Sequence, residues 1–382
     1  MKHYDYLIAG GGAAGLSLVH HLLQTRLSQK KILIIDRDQK QANDRTWCFW
    51  EAGPGPFEAI VHHRWQHTYF HGEHYSELLD LHPYQYKMIR SYDYYQHIKE
   101  AITAHPNVEW LSAEVQAMHE SGAGAQVTTS AGTFTADWVF SSLRNPRERA
   151  HLNGYTYLLQ HFKGWVIQTP EDFFNPRHAT LMDFRIAQHG ECRFFYVLPT
   201  NARTALVEFT LFSPELLPEP AYEAALQDYL QRFLSLDDYT VVHEEFGVIP
   251  MTDKPYPEQQ SEHIINVGTA GGRTKPSTGY TFRRIHQDSE QLVGSLLRTG
   301  RPTRSVSSWE QRFRLYDSTL FRVMERQGYP VKEIFTDLFR RNPADRVLRF
   351  LDEETSFGEE LQIANSVNRG AFARGMGQAI FS

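Results

Sequence analysis

Tyr4-Asp5-Tyr6-Leu7-Ile8-Ala9-Gly10-Gly11-Gly12-Ala13-Ala14-Gly15-Leu16 is the stretch from which the rest of the chain is read. The apolar run at 6–9 leads into Gly10-x-Gly12-x-x-Gly15, and Leu16, Leu18, Val19, Leu22 and Leu23 then recur at helical spacing. The pattern predicts a strand, a tight turn and a helix. Gly10 permits the turn, Gly12 lets the backbone approach a pyrophosphate, and Gly15 lets the helix pack closely on the strand. The helix start at Ala13 and Ala14 then turns its N–H groups toward the anion. Lys31-Ile32-Leu33-Ile34-Ile35 reads as a second buried strand. It ends at Asp36, about 20 residues past the turn, where a carboxylate would accept hydrogen bonds from a ribose hydroxyl. A glycine turn alone is weak evidence; strand, helix and acid together predict dinucleotide binding.

At 382 residues the chain is too long for one ordinary core, and two or three compact units are expected. Its 39 basic and 45 acidic residues nearly balance, so no global field favours nucleic acid. Cys48 and Cys192 stand far apart, which predicts neither a disulfide framework nor a zinc site and fits a reducing cytoplasmic setting. The apolar N-terminus is broken by glycines and carries His20 and His21, unlike a secretion signal. No apolar run reaches the roughly 18 residues a membrane-spanning helix needs. An aromatic content of 13% predicts a large apolar or π-rich surface to line.

Beyond Asp36, Asn43-Asp44-Arg45-Thr46-Trp47-Cys48-Phe49-Trp50 forms a polar and aromatic cluster. It reads either as a loop against a flavin, with Arg45 as donor and the tryptophans as walls, or as a surface loop held by a buried tryptophan. The histidine-rich segment 53–86 predicts hairpin and surface positions rather than a metal site. A helix at 92–104, a strand at 108–113, a meander at 115–135 and a short strand at 138–140 precede the polar loop 144–149. This βαβ unit with a later meander matches large two-domain FAD proteins and makes 1–150 the first part of an FAD-binding, Rossmann-like α/β domain. Strand-like runs at 157–169, 179–186, 193–200 and 204–212, a helix at 221–234 and a strand at 240–251 with Pro250 near its end predict an antiparallel-sheet substrate domain over 151–255. Ile264 to Gly272 is another buried strand entering a glycine turn, followed by Lys275-Pro276-Ser277-Thr278-Gly279-Tyr280 and a helix to 297. The second part of the FAD domain therefore falls at 256–300, with Gly268, Gly279 and Tyr280 as a second cradle for the cofactor. The region 301–382 reads as helical, and within 301–350 eleven basic residues face six acidic ones. Such helices either lie on an anionic membrane or pack with a solvated face.

Alternation in Thr204-Ala205-Leu206-Val207-Glu208-Phe209-Thr210-Leu211-Phe212 sends Glu208 to the side of Leu206, Thr210 and Phe212. From the residues alone, that carboxylate is either exposed to solvent or enclosed in a cavity. In a cavity, desolvation would keep it protonated near neutral pH.

Four further blocks follow the dinucleotide turn in order: Asp44-Arg45-Thr46-Trp47-Cys48-Phe49-Trp50, Ala205-Leu206-Val207-Glu208-Phe209-Thr210, Glu245-Phe246-Gly247-Val248-Ile249-Pro250-Met251, and Gly271-Gly272-Arg273-Thr274-Lys275-Pro276-Ser277-Thr278-Gly279-Tyr280. Together they resemble the bacterial lycopene beta-cyclase family. The fingerprint alone is shared with many flavoproteins, whereas the ordered set is specific. The resemblance implies a redox-neutral cyclisation of lycopene through gamma-carotene to beta-carotene. It further implies FAD in its reduced form, NAD(P)H as reductant, and Glu208 as the catalytic carboxylate. Phe209 departs from the acidic residue expected after it, and Glu245 is a weaker candidate for proton relay. Asp352-Glu353-Glu354-Thr355 matches a plant acidic motif by letters but follows helical residues, so Glu354 is rejected as the acid. A carotenoid substrate implies peripheral membrane attachment. The competing readings are a flavin monooxygenase or other redox flavoprotein, and a carotenoid-binding flavoprotein without turnover. No oligomeric state is implied.

Overall fold

The computed structural model describes residues 1–144, 155–304, 308–325 and 331–367; most of the predicted 144–149 loop and the end of the helical region lie outside them. The first strand, Lys2–Ala9, lies between two parallel partners, Ile32–Asp36 and Gly132–Ser141. Val108–Ser112 extends the sheet beyond the former and Ile264–Asn266 beyond the latter, again in parallel. Helices and loops cover both faces, so these strands are continuously apolar, with Leu7, Ile8, Ile34 and Ile35 wholly buried. The chain returns to this sheet at Ile264, as its late strand and glycine turn predict. Trp138-Val139-Phe140 is the end of the ten-residue strand Gly132–Ser141 rather than a short strand of its own. Helix Ala13–Leu23 packs against Phe282–Thr299, and the Ser17 hydroxyl meets Ser289 Oγ at 2.9 Å.

A seven-stranded sheet takes the order Thr240–Thr252, Tyr157–Gln168, Thr204–Ser213, Cys192–Pro199, His178–Asp183, His67–Gly72, Tyr75–Asp80. Two expectations are corrected here. The sheet is not confined to 151–255, and it is not wholly antiparallel, because His178–Asp183 runs parallel to His67–Gly72. Alternation explains the capture of the histidine-rich segment: Thr68 and Phe70 are buried while Tyr69 is exposed, and Phe70 packs against Phe184 and Phe339. The strand read at 240–251 extends one residue further, to Thr252, and Pro250 within it pairs in register with Leu159. It is an edge strand, where a missing N–H costs little. The predicted 43–50 loop is also largely a strand, Thr46–Ala52, paired with Tyr84–Arg90 in a three-stranded sheet.

Helix Glu219–Leu234 covers one face of the seven-stranded sheet, where Phe195 stacks on Tyr229 at 3.9 Å between centroids. The C-terminal helices cover the other face. Phe321, Ile334, Phe335, Leu338 and Phe339 are buried there with Leu158, Phe194, Leu206 and Phe212, so the apolar stripes point inward. Arg312 pairs with Glu360 and Arg349 with Glu359 within the region, while Arg322 and Lys332 reach Asp253 and Glu73 outside it. Those stripes therefore offer no face to a membrane.

A Cβ on Gly15 would come 2.0 Å from the Gly10 carbonyl oxygen, a backbone atom that cannot swing aside. Gly15→Ala is expected to cost about 1–3 kcal/mol, as overpacking does, read as a lowered urea midpoint with unchanged slope. An unchanged midpoint would contradict this packing.

Candidate active site

At the first turn Gly10 has φ +105° and donates its N–H to the Ile35 carbonyl at 2.8 Å, which brings the turn to the end of the second strand. No side chain caps the following helix, and its first turn carries no acid. Its first N–H groups therefore favour an anion. A Cβ on Gly12 would meet nothing within 4 Å, so open space lies before this backbone. Asp36 accepts the Gly11 and Asp38 N–H groups, each at 2.7 Å, which fixes its carboxylate and leaves lone pairs for hydroxyl donors.

The second glycine turn closes on the first. A Cβ on Gly268 would stand 2.5 Å from Ala14 Cβ, so Gly268 packs on the helix rather than facing the open space. Gly279, at φ +73°, leaves room for the Gln160 carboxamide.

Both turns border a cavity of about 430 Å³ whose far wall is the seven-stranded sheet. In that wall Gly164 stands opposite Glu208 on one neighbouring strand and Glu245 on the other. A Cβ at Gly164 would lie 3.1 Å from Glu245 Cγ and 2.9 Å from Leu206 Cδ1, so glycine makes the room that Glu245 and Leu206 occupy on either side of it. Thr210 donates to Glu208 Oε1 at 2.8 Å, and Thr46 donates to Glu245 Oε2 at 2.7 Å. Glu245 Oε1 is buried and has no ordinary donor. Glu208 is only half-buried because its carboxyl faces the cavity, yet the packed wall behind it removes most of its water. Desolvation, then the neighbouring Glu245, pushes Glu208 well above the usual carboxylate range. Desolvation raises Glu245 as well, and Thr46 opposes the rise.

Much of the remaining lining is apolar or aromatic. Trp47 stacks on Phe282 at 5.2 Å, and Trp50 meets Tyr280 edge-on at 4.5 Å. Burial holds the Cys48 thiol and the Tyr86, Tyr196 and Tyr280 phenols in their neutral forms. Lys40, Arg45 and Arg144 bring positive charge to the cavity near the first turn, and Arg45 reaches the Phe246 carbonyl at 3.4 Å.

Of the residues singled out from sequence, Gly12, Ala13, Arg45, Glu208, Gly279 and Tyr280 line this cavity, while Gly10, Ala14, Gly15, Asp36 and Gly268 shape it from behind. Phe209 faces the opposite side and packs on Phe195, so an acid at that position could not sit beside the Glu208 carboxyl. Glu354 lies off the cavity and pairs with Arg283. Burial acts to raise neighbouring Glu353, but Lys275 and Arg284 overcome it and hold that carboxyl at about 2. Sequence reading missed Gly164, Tyr86, Tyr196 and Gln160. An isolated glycine inside a strand pattern was the available signal for the first, since it marks a close approach.

The family profile described as "Lycopene cyclase protein" matches residues 5–378. The chain belongs to the lycopene cyclase family. A lycopene beta cyclase of Synechococcus elongatus is 24% identical over 311 residues, covering 77% of this chain and 70% of that protein. One from Pseudescherichia vulneris is 24% identical over 295 residues, covering 73% and 70%. Among solved structures, a flavoprotein/dehydrogenase from Cytophaga hutchinsonii superposes with a TM-score of 0.64 at 13% identity, over 98% of this chain and 99% of that one. A halogenase PltM variant in complex with FAD gives 0.60 at 13% identity, over 95% and 85%. The fold of this cyclase-family member is thus that of FAD-binding flavoproteins. Its own residues fit the cofactor: an uncapped helix start, open space before Gly12, an anchored acid at the second strand, and a Thr278 hydroxyl left unpartnered in the lining.

Gly12 has φ −82°, which any residue adopts. Gly12→Val is therefore expected to leave the stability of the flavin-free protein within about 0.5 kcal/mol, as surface substitutions do, while the purified protein loses its flavin absorbance. Full flavin content in this variant would show that the turn does not face the cofactor.

Proposed function

We propose that this chain catalyses the redox-neutral cyclisation of both ends of lycopene, through gamma-carotene to beta-carotene. The observation that carries the reading is a carboxyl of raised proton affinity, Glu208, on the same cavity as a dinucleotide turn, in a member of the lycopene cyclase family. The reaction needs an acid, a dry wall of polarisable groups and a base. Glu208 gives its proton to the terminal double bond of the acyclic end group. The resulting cation is attacked by a neighbouring double bond, which closes the ring, and loss of a ring proton restores neutrality. One proton enters and one leaves, so no electrons are consumed. Tyr86, Tyr196, Tyr280 and Phe162 exclude water and turn ring faces or edges to the developing charge.

FAD would be held by the Gly12 and Ala13 backbone, Asp36 and Arg45, with Gly279 and Tyr280 on the other side. In its reduced form, with NAD(P)H as reductant, it would supply negative charge to offset the cation.

No helix among the described residues is long and apolar enough to cross a membrane. Lycopene partitions into bilayers, so the protein is expected to meet it as a peripheral protein at the cytoplasmic face. Val248 of the edge strand Thr240–Thr252 is exposed beside Ile249 and Pro250 in the cavity lining, and exposed Phe246 lies on the other face of the same strand, edge-on to Tyr222 at 5.6 Å. Sedimentation with anionic liposomes, with release by salt, is the expected behaviour; indifference to both would reject attachment.

In bacteria that accumulate lycopene, the wild-type chain should turn red cells orange-yellow. Glu208→Gln should leave them red, with beta-carotene formation down by about 10²–10⁴-fold, the usual contribution of a general acid, and with flavin still bound. Normal beta-carotene from that variant would overturn the acid assignment. Oxygen uptake coupled to NAD(P)H would instead favour a monooxygenase, and retained flavin and lycopene without product a non-catalytic carrier.

A further inference from the structure

We propose that Glu208 and Glu245 hold one proton between them, and that Glu245 is the residue that keeps it on Glu208 until substrate arrives. The inference rests on the cyclase reading above only for the use made of that proton; the pair stands on geometry.

Gly164 is flanked by the two glutamates in register, and its missing Cβ leaves the space that the Glu245 side chain occupies beside it. Each carboxyl spends one oxygen on a threonine hydroxyl, Thr210 for Glu208 and Thr46 for Glu245. Glu245 is 6% exposed, and its Oε1 has no donor from any described residue. A buried carboxylate oxygen without a donor bears the full penalty of its lost hydration. The O–H of a protonated Glu208, within hydrogen-bonding reach, removes that cost. Ionising both of two adjacent carboxylates in a desolvated wall is strongly disfavoured, so in the resting protein one proton is retained and shared.

The other groups facing the pair do not supply this proton. Cys48, Tyr86 and Tyr196 are held neutral by burial. Arg45 and His243 act on the Glu245 side, where positive charge favours its ionised form. Charge therefore settles on Glu245 and the proton on Glu208, whose carboxyl faces the cavity. When Glu208 gives its proton to the olefin, two negative carboxylates are left side by side. That dianion is a stronger base than either carboxylate alone and takes back the proton the ring must lose. Bond formation balances: one O–H bond breaks as a C–H bond forms, then the reverse, and the pair ends as it began.

The test uses the flavin-bound protein and two readouts. Infrared spectra across pH should contain a protonated-carboxyl band that Glu208→Gln removes. Asp352, raised by burial to about 7, is present in both proteins and cancels in the difference. In Glu245→Gln the band should persist at acid pH but titrate with a proton affinity at least about tenfold lower, because the like charge is gone. The alkaline limb of the cyclisation rate should move to lower pH by the same factor. Gly164→Ala keeps both carboxyls but puts a methyl 3.1 Å from Glu245 Cγ and 3.4 Å from its Oε1, which displaces the Glu245 carboxyl, and should shift the titration in the same direction. An unchanged midpoint in both variants would overturn the shared proton even if wild type makes beta-carotene. A shifted midpoint in a wild-type protein that makes none would overturn the cyclase reading and leave the pair standing.

Discussion

A carboxyl taken out of water gives up its charge unless a donor or a cation replaces the water, and this constraint organises the molecule around Glu208 and Glu245. Neither carboxyl meets a lysine or arginine head group at salt-bridge distance in the described structure, in contrast to Glu353, which is held ionised by Lys275 and Arg284. Both glutamates are raised, so the native state binds their protons more tightly than the unfolded chain does. The sign follows directly: their contribution favours folding at acid pH and is lost as pH rises above about 4.5 through the raised folded values. A fold that only needed stability would have placed aliphatic side chains there. The surrounding cores carry the cost of this wall.

Sheet register is what makes the wall possible. Alternation along Thr204–Ser213 divides its side chains between two cores, Leu206 and Phe212 toward the C-terminal helices and Val207, Phe209 and Leu211 toward helix Glu219–Leu234. A slip of one residue would send Glu208 into the second core and Phe209 into the cavity. Two packed faces fix the register, and the helical region, though remote in sequence from the chemistry, is one of the two constraints that aim the acid.

Local patterns were the readable ones. The readings of Gly10, Gly12 and Gly15 depend on a strand, a turn and a helix within twenty residues, and in the structure a Cβ would meet neighbours at Gly10 and Gly15 and open space at Gly12. The side on which Glu208 lies follows from alternation within one strand. That Gly164 and Glu245 are its neighbours follows from pairing between strands far apart in sequence, which no local period encodes. The same limit explains the histidine-rich segment, whose Thr68 and Phe70 acquire a buried face only when His178–Asp183 arrives beside them. In the C-terminal helices, periodicity announces an apolar stripe but not what covers it, and the covering partner proves to be the sheet rather than a lipid surface.

The scaffold is shared with a flavoprotein/dehydrogenase and a halogenase, so the fold by itself does not choose a reaction. The choice lies in what faces the cofactor's cavity. Redox chemistry at a flavin needs electrons delivered and removed, whereas an isomerisation needs a proton lent and returned. A desolvated carboxyl pair with one orphaned oxygen is suited to the second task, since it holds a proton firmly when idle and becomes strongly basic when it has given that proton away. Phe209 sharpens the point. Because its ring stacks on Phe195 behind the sheet, the acidic residue that the family resemblance leads one to expect after Glu208 could act only at a distance, and the tuning falls instead to the residue across the gap at Gly164.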